Sequence, residues 1–231
     1  MKEPLLLLPG MMCDARLYGP QIEAFSHERP IVTAPLNDHA TVEALARDIL
    51  DTAPQQFALA GLSMGGIVAM EVIRQAPDRV TRLALLDTNP KAEHPTVAQN
   101  REPQMQKVRD GHLRAVMRDE MKPNYLTDGP RMGQILDLCM AMADALGPDV
   151  FINQSRALQS RPDQQDTLRS VNVPTLILCG EDDALCPIHR HTLMHELIPG
   201  SALKIIKNAG HLPTLEQPQI TNEALAQWLN Q

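Results

Sequence analysis

The sequence predicts a three-layer α/β/α sandwich built on a mostly parallel sheet, with an all-helical segment set into it. Three observations predict this. Short apolar runs alternate with helix-length stretches, the pattern of strand, crossover helix and parallel strand. Several of those runs are apolar at every position, as in strands covered on both faces. The alternation then stops between about Lys91 and Arg169, where only helical patterns occur.

The elements follow in chain order. Leu5–Leu8 is the first strand: the apolar run that begins there is too short for a signal-peptide core and is closed at once by Pro9-Gly10. Ile31–Thr33 is the second strand and Thr41–Leu50 a helix. The third strand, Phe57–Ala60, runs into Gly61-Leu62-Ser63-Met64-Gly65 and then the helical stretch Gly66–Gln75. Leu83–Leu86 is the fourth and ends at Asp87-Thr88-Asn89-Pro90. Residues 91–169 form the expected helical cap, with helices at Val97–Arg109, onward from the turn Asp110-Gly111 to Met121, at Gly133–Leu146 and at Val150–Gln159. Pro123, Pro130, Pro148 and Pro162 punctuate it. The chain returns at Val173-Pro174 to the strand Thr175–Cys179, the helix Ile188–Leu197, the strand Leu203–Ile206 and the helix Gln219–Leu229. Residues 1–90 and 170–231 are thus expected to form the sheet domain, with about six strands, and 91–169 a lid over the strand ends.

With 231 residues, 43% of them hydrophobic, the chain has ample material for one core and an insertion. A formal net charge of -7 gives no electrostatic reason for a nucleic-acid or anionic-membrane partner, and a small-molecule substrate fits better. No segment approaches the roughly 18 uninterrupted apolar residues of a membrane span, so a soluble, cytoplasmic protein is expected. Cys13, Cys139, Cys179 and Cys186 lack paired metal-ligand spacing and read as free thiols of a reducing compartment. Aromatic residues are only 3% of the chain, which disfavours a stacking pocket.

The chemistry-bearing residues sit where strands end. A strand that reverses into a helix through one residue strains that residue, lifts Ser63 above the sheet edge and points the first helical amides, Met64 foremost, at its oxygen. Ser63 therefore reads as a nucleophile beside an anion site. After the fifth strand comes the acidic turn Gly180-Glu181-Asp182-Asp183-Ala184-Leu185-Cys186-Pro187, and after the sixth Asn208-Ala209-Gly210-His211-Leu212-Pro213. A serine hydroxyl needs a base, imidazole suits that task near neutral pH, and a carboxylate on the other ring nitrogen fixes the tautomer.

Taken together, the elbow Gly61-Leu62-Ser63-Met64-Gly65-Gly66, the acid loop closed by Pro187, and Gly210-His211 followed by Leu215-Glu216-Gln217-Pro218 resemble the α/β-hydrolase family over essentially the whole chain. The resemblance implies a triad of Ser63, Asp183 and His211, in the chain order associated with that fold. It selects Asp183 over Asp182, because the family's acid lies three residues after the loop glycine and four before the proline; a one-residue shift of register would select Asp182. Where the family usually has His-Gly, this chain has Pro9-Gly10, and the backbone amide of Met11 is then the second oxyanion donor beside Met64. No cofactor and no metal is implied. The implied activity is a serine hydrolase cleaving a small-to-medium carboxylic ester, thioester or lactone. The same triad on the same fold also serves proton-abstraction lyases and cofactor-free perhydrolases, and a ligand receptor that does not turn over is the reading from another class.

Other clusters read more plainly. His191 and His195 share a helix face beside His189, but the zincin glutamate is missing and no metal is expected. Lys107, Arg114, Arg118 and Lys122 would suit a carrier-protein or coenzyme A ester if they formed a stripe. Asp110, Asp119 and Glu120 are interleaved with them, which makes a solvated, balanced face the simpler expectation. Six methionines of the insertion read as core filler, whereas Met11, Met12 and Met64 are expected to soften an acyl pocket near the nucleophile.

Overall fold

In the computed structural model, which describes residues 2–231, six strands form a single parallel sheet in the order β2-β1-β3-β4-β5-β6. They are β1 (Leu5–Leu8), β2 (Ile31–Thr33), β3 (Phe57–Leu62), β4 (Val80–Leu86), β5 (Thr175–Gly180) and β6 (Ala202–Ile206). β1 lies inside the sheet, with Leu5 paired to Ile31 on one side and to Ala58 on the other. Its four leucines are all buried, which explains why the run carries no alternation. β4 begins three residues before the apolar run, since Thr81 and Arg82 there satisfy their polar ends on Glu3.

Helices cover both faces, and the strand period decides which side chain meets which. Leu6 and Leu8 pack in one cluster with α2 (Val42–Thr52), α3 (Met64–Gln75) and Met194 of α8 (Ile188–Leu197). Leu5 and Leu7 point the other way, toward Phe25 of α1 (Gly19–Phe25) and Leu225 and Trp228 of α10 (Pro218–Leu229). Thr41 caps α2 by accepting the Ala44 amide at 3.2 Å. α1 escapes a sequence reading because it opens on Gly19-Pro20 and buries only Gln21 and Phe25.

Between β4 and β5 the insertion runs through α4 (Pro95–Arg109), α5 (Leu113–Ala115), α6 (Met132–Gln159) and, on its way back, α7 (Gln165–Arg169). The expected helix to Met121 is instead the single turn of α5 followed by a π-helical turn over Val116–Met121 and a 3-10 turn over Lys122–Asn124. Pro123 has no amide to continue the ladder. The two further expected helices are one, α6, broken at Gly147, whose φ of 81° and ψ of 179° are not helical. The insertion's ends are tied where the Gln164 amide donates to the Pro90 carbonyl at 2.8 Å. Met105, Val116 and Phe151 join the α2/α3 cluster, while Ile135, Cys139 and Met142 join the opposite one. The inserted helices thus lie across the strand ends and pack into both halves of the sheet's core. No helix among the described residues is long and apolar enough to cross a membrane.

Candidate active site

Ser63 leaves β3 with φ 56° and ψ −116°, a positive φ that for a non-glycine residue costs about 1–3 kcal/mol. Its neighbours over-determine it. The Ser63 amide donates to Leu86 O at 2.9 Å, and its carbonyl accepts from Gly66 N at 3.0 Å, Ile67 N at 3.1 Å and Thr88 Oγ1 at 2.7 Å. A side chain on Gly61 would collide with the Gly65 carbonyl, and one on Gly65 with the Leu8 carbonyl, so the elbow closes only with glycine at both places.

Three strand ends converge here. His211 Nε2 lies 2.9 Å from Ser63 Oγ, and its Nδ1 lies 2.9 Å from Asp183 Oδ2. The other Asp183 oxygen accepts the Leu185 and Cys186 amides at 2.8 and 2.9 Å. Burial pushes the Asp183 carboxyl up, but His211 and those amides outweigh it and hold the group below its ordinary value. An ionised Asp183 keeps the imidazole proton on Nδ1 and leaves Nε2 free to accept from Ser63. Asp182 is exposed and instead accepts from Thr127 Oγ1 at 3.1 Å.

Two amides next to Ser63 and Gly10 have no protein acceptor among the described residues. Met64 opens α3, where the amide has no helical acceptor behind it. Gly10 packs against Ser63, and the adjoining Met11 amide has no protein acceptor among the described residues. The loop's shape comes from the insertion. Met12, at φ 55°, donates its amide to Gln154 Oε1 of α6 at 2.8 Å, while Gln154 Nε2 reaches Leu36 O at 3.0 Å.

Several supporting residues were not assigned roles from sequence. Glu216 accepts the amides of Gly210, Leu212 and Thr127, each at 3.0 Å, bracing the histidine loop from both sides. Burial raises its pKa against those bonds. The Tyr125 carbonyl accepts the His211 amide at 2.7 Å. Asp87, at φ 45°, accepts from Gly180 N at 2.9 Å through Oδ1, and its Oδ2 is buried without a donor. Burial, with the Asp183 charge added, raises it well above the usual carboxylate range. His191 accepts the Thr88 amide at 3.1 Å, and burial lowers its pKa to about 4. No local signal marks Gln154, which lies in the polar run Asn153-Gln154-Ser155-Arg156.

The remaining expectations resolve by contact. Asp183, Cys186 and His211 offer donor atoms within 4.8 Å of one another, but Asp183 and His211 are committed to each other and burial raises the Cys186 thiol. Burial likewise raises Cys13, and nothing here makes a reactive thiolate. His195 Nδ1 is engaged with Ser201 Oγ at 2.8 Å, apart from His191. Lys107 pairs with Glu120, Arg114 with Asp144 and Arg118 with Asp119, while Lys122 is buried over the Tyr125 ring. They form no open basic stripe.

Residues 6–224 match the model of the Alpha/beta hydrolase family. Among curated proteins, the chain is 25% identical to carboxylesterase YbfK of Bacillus subtilis, over 97% of this chain and 79% of that protein. It is 27% identical to the pimeloyl-[acyl-carrier protein] methyl ester esterase of Salmonella newport, over 80% of this chain and 74% of that one. Among solved structures, a thermophilic esterase from Thermogutta terrifontis superposes with a TM-score of 0.88 at 28% identity, covering 99% of this chain and 89% of its own.

Proposed function

The chain belongs to the alpha/beta hydrolase family, and from that premise we propose that it hydrolyses a small-to-medium carboxylic ester, thioester or lactone through an acyl-enzyme on Ser63. The observation that carries this is the unbroken relay from Asp183 through His211 to Ser63, 2.9 Å at each step, ending beside two unspent backbone amides. The esterase relatives support the same reaction class.

The chemistry follows from the geometry. As Ser63 Oγ bonds to the carbonyl carbon, its proton passes to His211 Nε2, and the carbonyl oxygen becomes an oxyanion held by the amides of Met11 and Met64. Asp183 stabilises the imidazolium. His211 then protonates the departing alcohol or thiol as its bond to the acyl carbon breaks. A water deprotonated by His211 attacks the acyl-enzyme, and the same proton returns to Ser63 when the acid leaves. The inserted helices close over the strand ends and exclude bulk water.

A fluorophosphonate probe is expected to label the wild-type protein on Ser63 and to leave Ser63→Ala unlabelled. Persistent labelling of that variant would remove Ser63 as nucleophile. A chain-length series of p-nitrophenyl esters and thioesters, run beside lactones, sizes the acyl pocket, and a complete lack of turnover would overturn the hydrolase reading.

A further inference from the structure

We infer that Arg101 forms a subsite for a free carboxylate on the substrate, so that the ester preferred here also carries an acid. This rests on the hydrolase reading above. In the sequence Arg101 lies in the polar run Gln99-Asn100-Arg101-Glu102, where a solvated arginine is the default. α4 turns it inward instead, to 13% side-chain exposure.

Its guanidinium is spent on only one side. Nε and Nη2 donate to Glu93, the latter at 3.0 Å, and Arg161 Nη1 donates to the same carboxylate at 2.7 Å. Glu93 is 2% exposed and Arg161 9%, so two cations share one anion away from bulk water. That leaves one positive charge uncompensated, which is costly unless a further anion arrives. A third guanidinium, Arg190, bonded to the Leu185 carbonyl at 2.9 Å, adds its charge to that felt by Arg161. The open edge of Arg101 has a direction. Nη1 reaches Met11 Sδ at 4.0 Å, a weak acceptor, and Met11 carries the proposed oxyanion amide. The Arg101 charge also reaches Tyr125, whose ring centroid lies 5.8 Å from that of His211. A strong, undersatisfied donor thus stands against the side chain of Met11, one residue after the Gly10 that lies beside Ser63, and a planar carboxylate matches it.

The test compares the monomethyl esters of malonate to adipate with their dimethyl counterparts. For at least one length the wild type is expected to show the higher kcat/KM on the half-ester. Arg101→Gln is expected to lower the half-ester to diester ratio about ten- to hundredfold, chiefly through KM, with partial rescue by Arg101→Lys. A wild type that prefers the diester at every length, or a ratio untouched by Arg101→Gln, overturns the inference. Calorimetry on Ser63→Ala decides the point without turnover: glutarate is expected to bind and glutaramide not, with binding lost in Ser63→Ala/Arg101→Gln. Failure of Ser63→Ala to bind glutarate, or tighter binding of inorganic phosphate, sinks the carboxylate site. Failure of fluorophosphonate labelling sinks the hydrolase reading alone. If Arg101→Gln does not fold, the wild-type ratio and the glutarate titration still decide for or against the subsite.

Discussion

Single side chains around Ser63 divide into the proposed reacting groups and those that hold them in place. Asp183→Asn is expected to lower esterase kcat by about 10⁴, the scale set by neutralising the equivalent carboxylate in a serine-protease triad, because the imidazole then loses its tautomer. Asp182→Asn should leave kcat within a few-fold, since Asp182 faces Thr127. Steady-state kinetics on one ester compares both, and a damaging Asp182 change would reverse the assignment. Two buried titratable groups act on stability with opposite sign. His191 is held neutral down to about pH 4 against an ordinary 6.5, so the unfolded chain takes up its proton first and stability falls as pH drops through that window. His191→Gln should therefore show a smaller loss of melting temperature between pH 7 and pH 4.5. Asp87 is raised above its ordinary 3.8, so its contribution is complete below that value and is lost as pH rises toward the raised one. Asp87→Asn should remove that loss in denaturation curves taken across the acid range.

At the scale of elements, Ser63, Asp183 and His211 follow strand ends, and part of what braces them comes from the insertion. Gln154 is the clearest case: α6 supplies both bonds that join Met12 to the loop after β2. Gln154→Ala is expected to reduce kcat by up to about 10²–10³ with KM little changed, the cost of misplacing one oxyanion amide. An equal loss in KM instead would mean that Gln154 shapes the pocket. Stability should also drop by about 1–3 kcal/mol, read from urea unfolding, since the Met12 amide and Leu36 carbonyl lose their partner. These helices were only partly legible. α4 and both halves of α6 follow a recognisable pattern, but the π-helical turn over Val116–Met121 leaves no periodicity of its own in the sequence. α7 and α9 (Pro213–Glu216) are too short to announce themselves, being five and four residues long.

Across the whole molecule, the cap and the sheet meet at the histidine loop. The Tyr125 carbonyl holds the His211 amide and Glu216 links Thr127 to Gly210, so a shift of the insertion would disturb His211, the proposed base. Glu216→Gln is expected to lower kcat about tenfold or more and to speed amide exchange at Gly210 and Leu212, measured by hydrogen exchange. An unchanged exchange pattern would assign the loop's rigidity elsewhere. The chain's amino-acid order by itself determined the parallel sheet, the elbow and the candidates Ser63, Asp183 and His211, because strand burial, glycine sterics and loop position are local and leave a pattern in consecutive residues. Tertiary structure alone decided how Gln154 and Glu216 brace the loops and that Arg101 turns inward. The contacts of Gln154 with Met12 and Leu36, and of Glu216 with Thr127, join residues 89 to 142 positions apart, and no local periodicity encodes the distance between segments that meet only when the insertion has packed on the sheet.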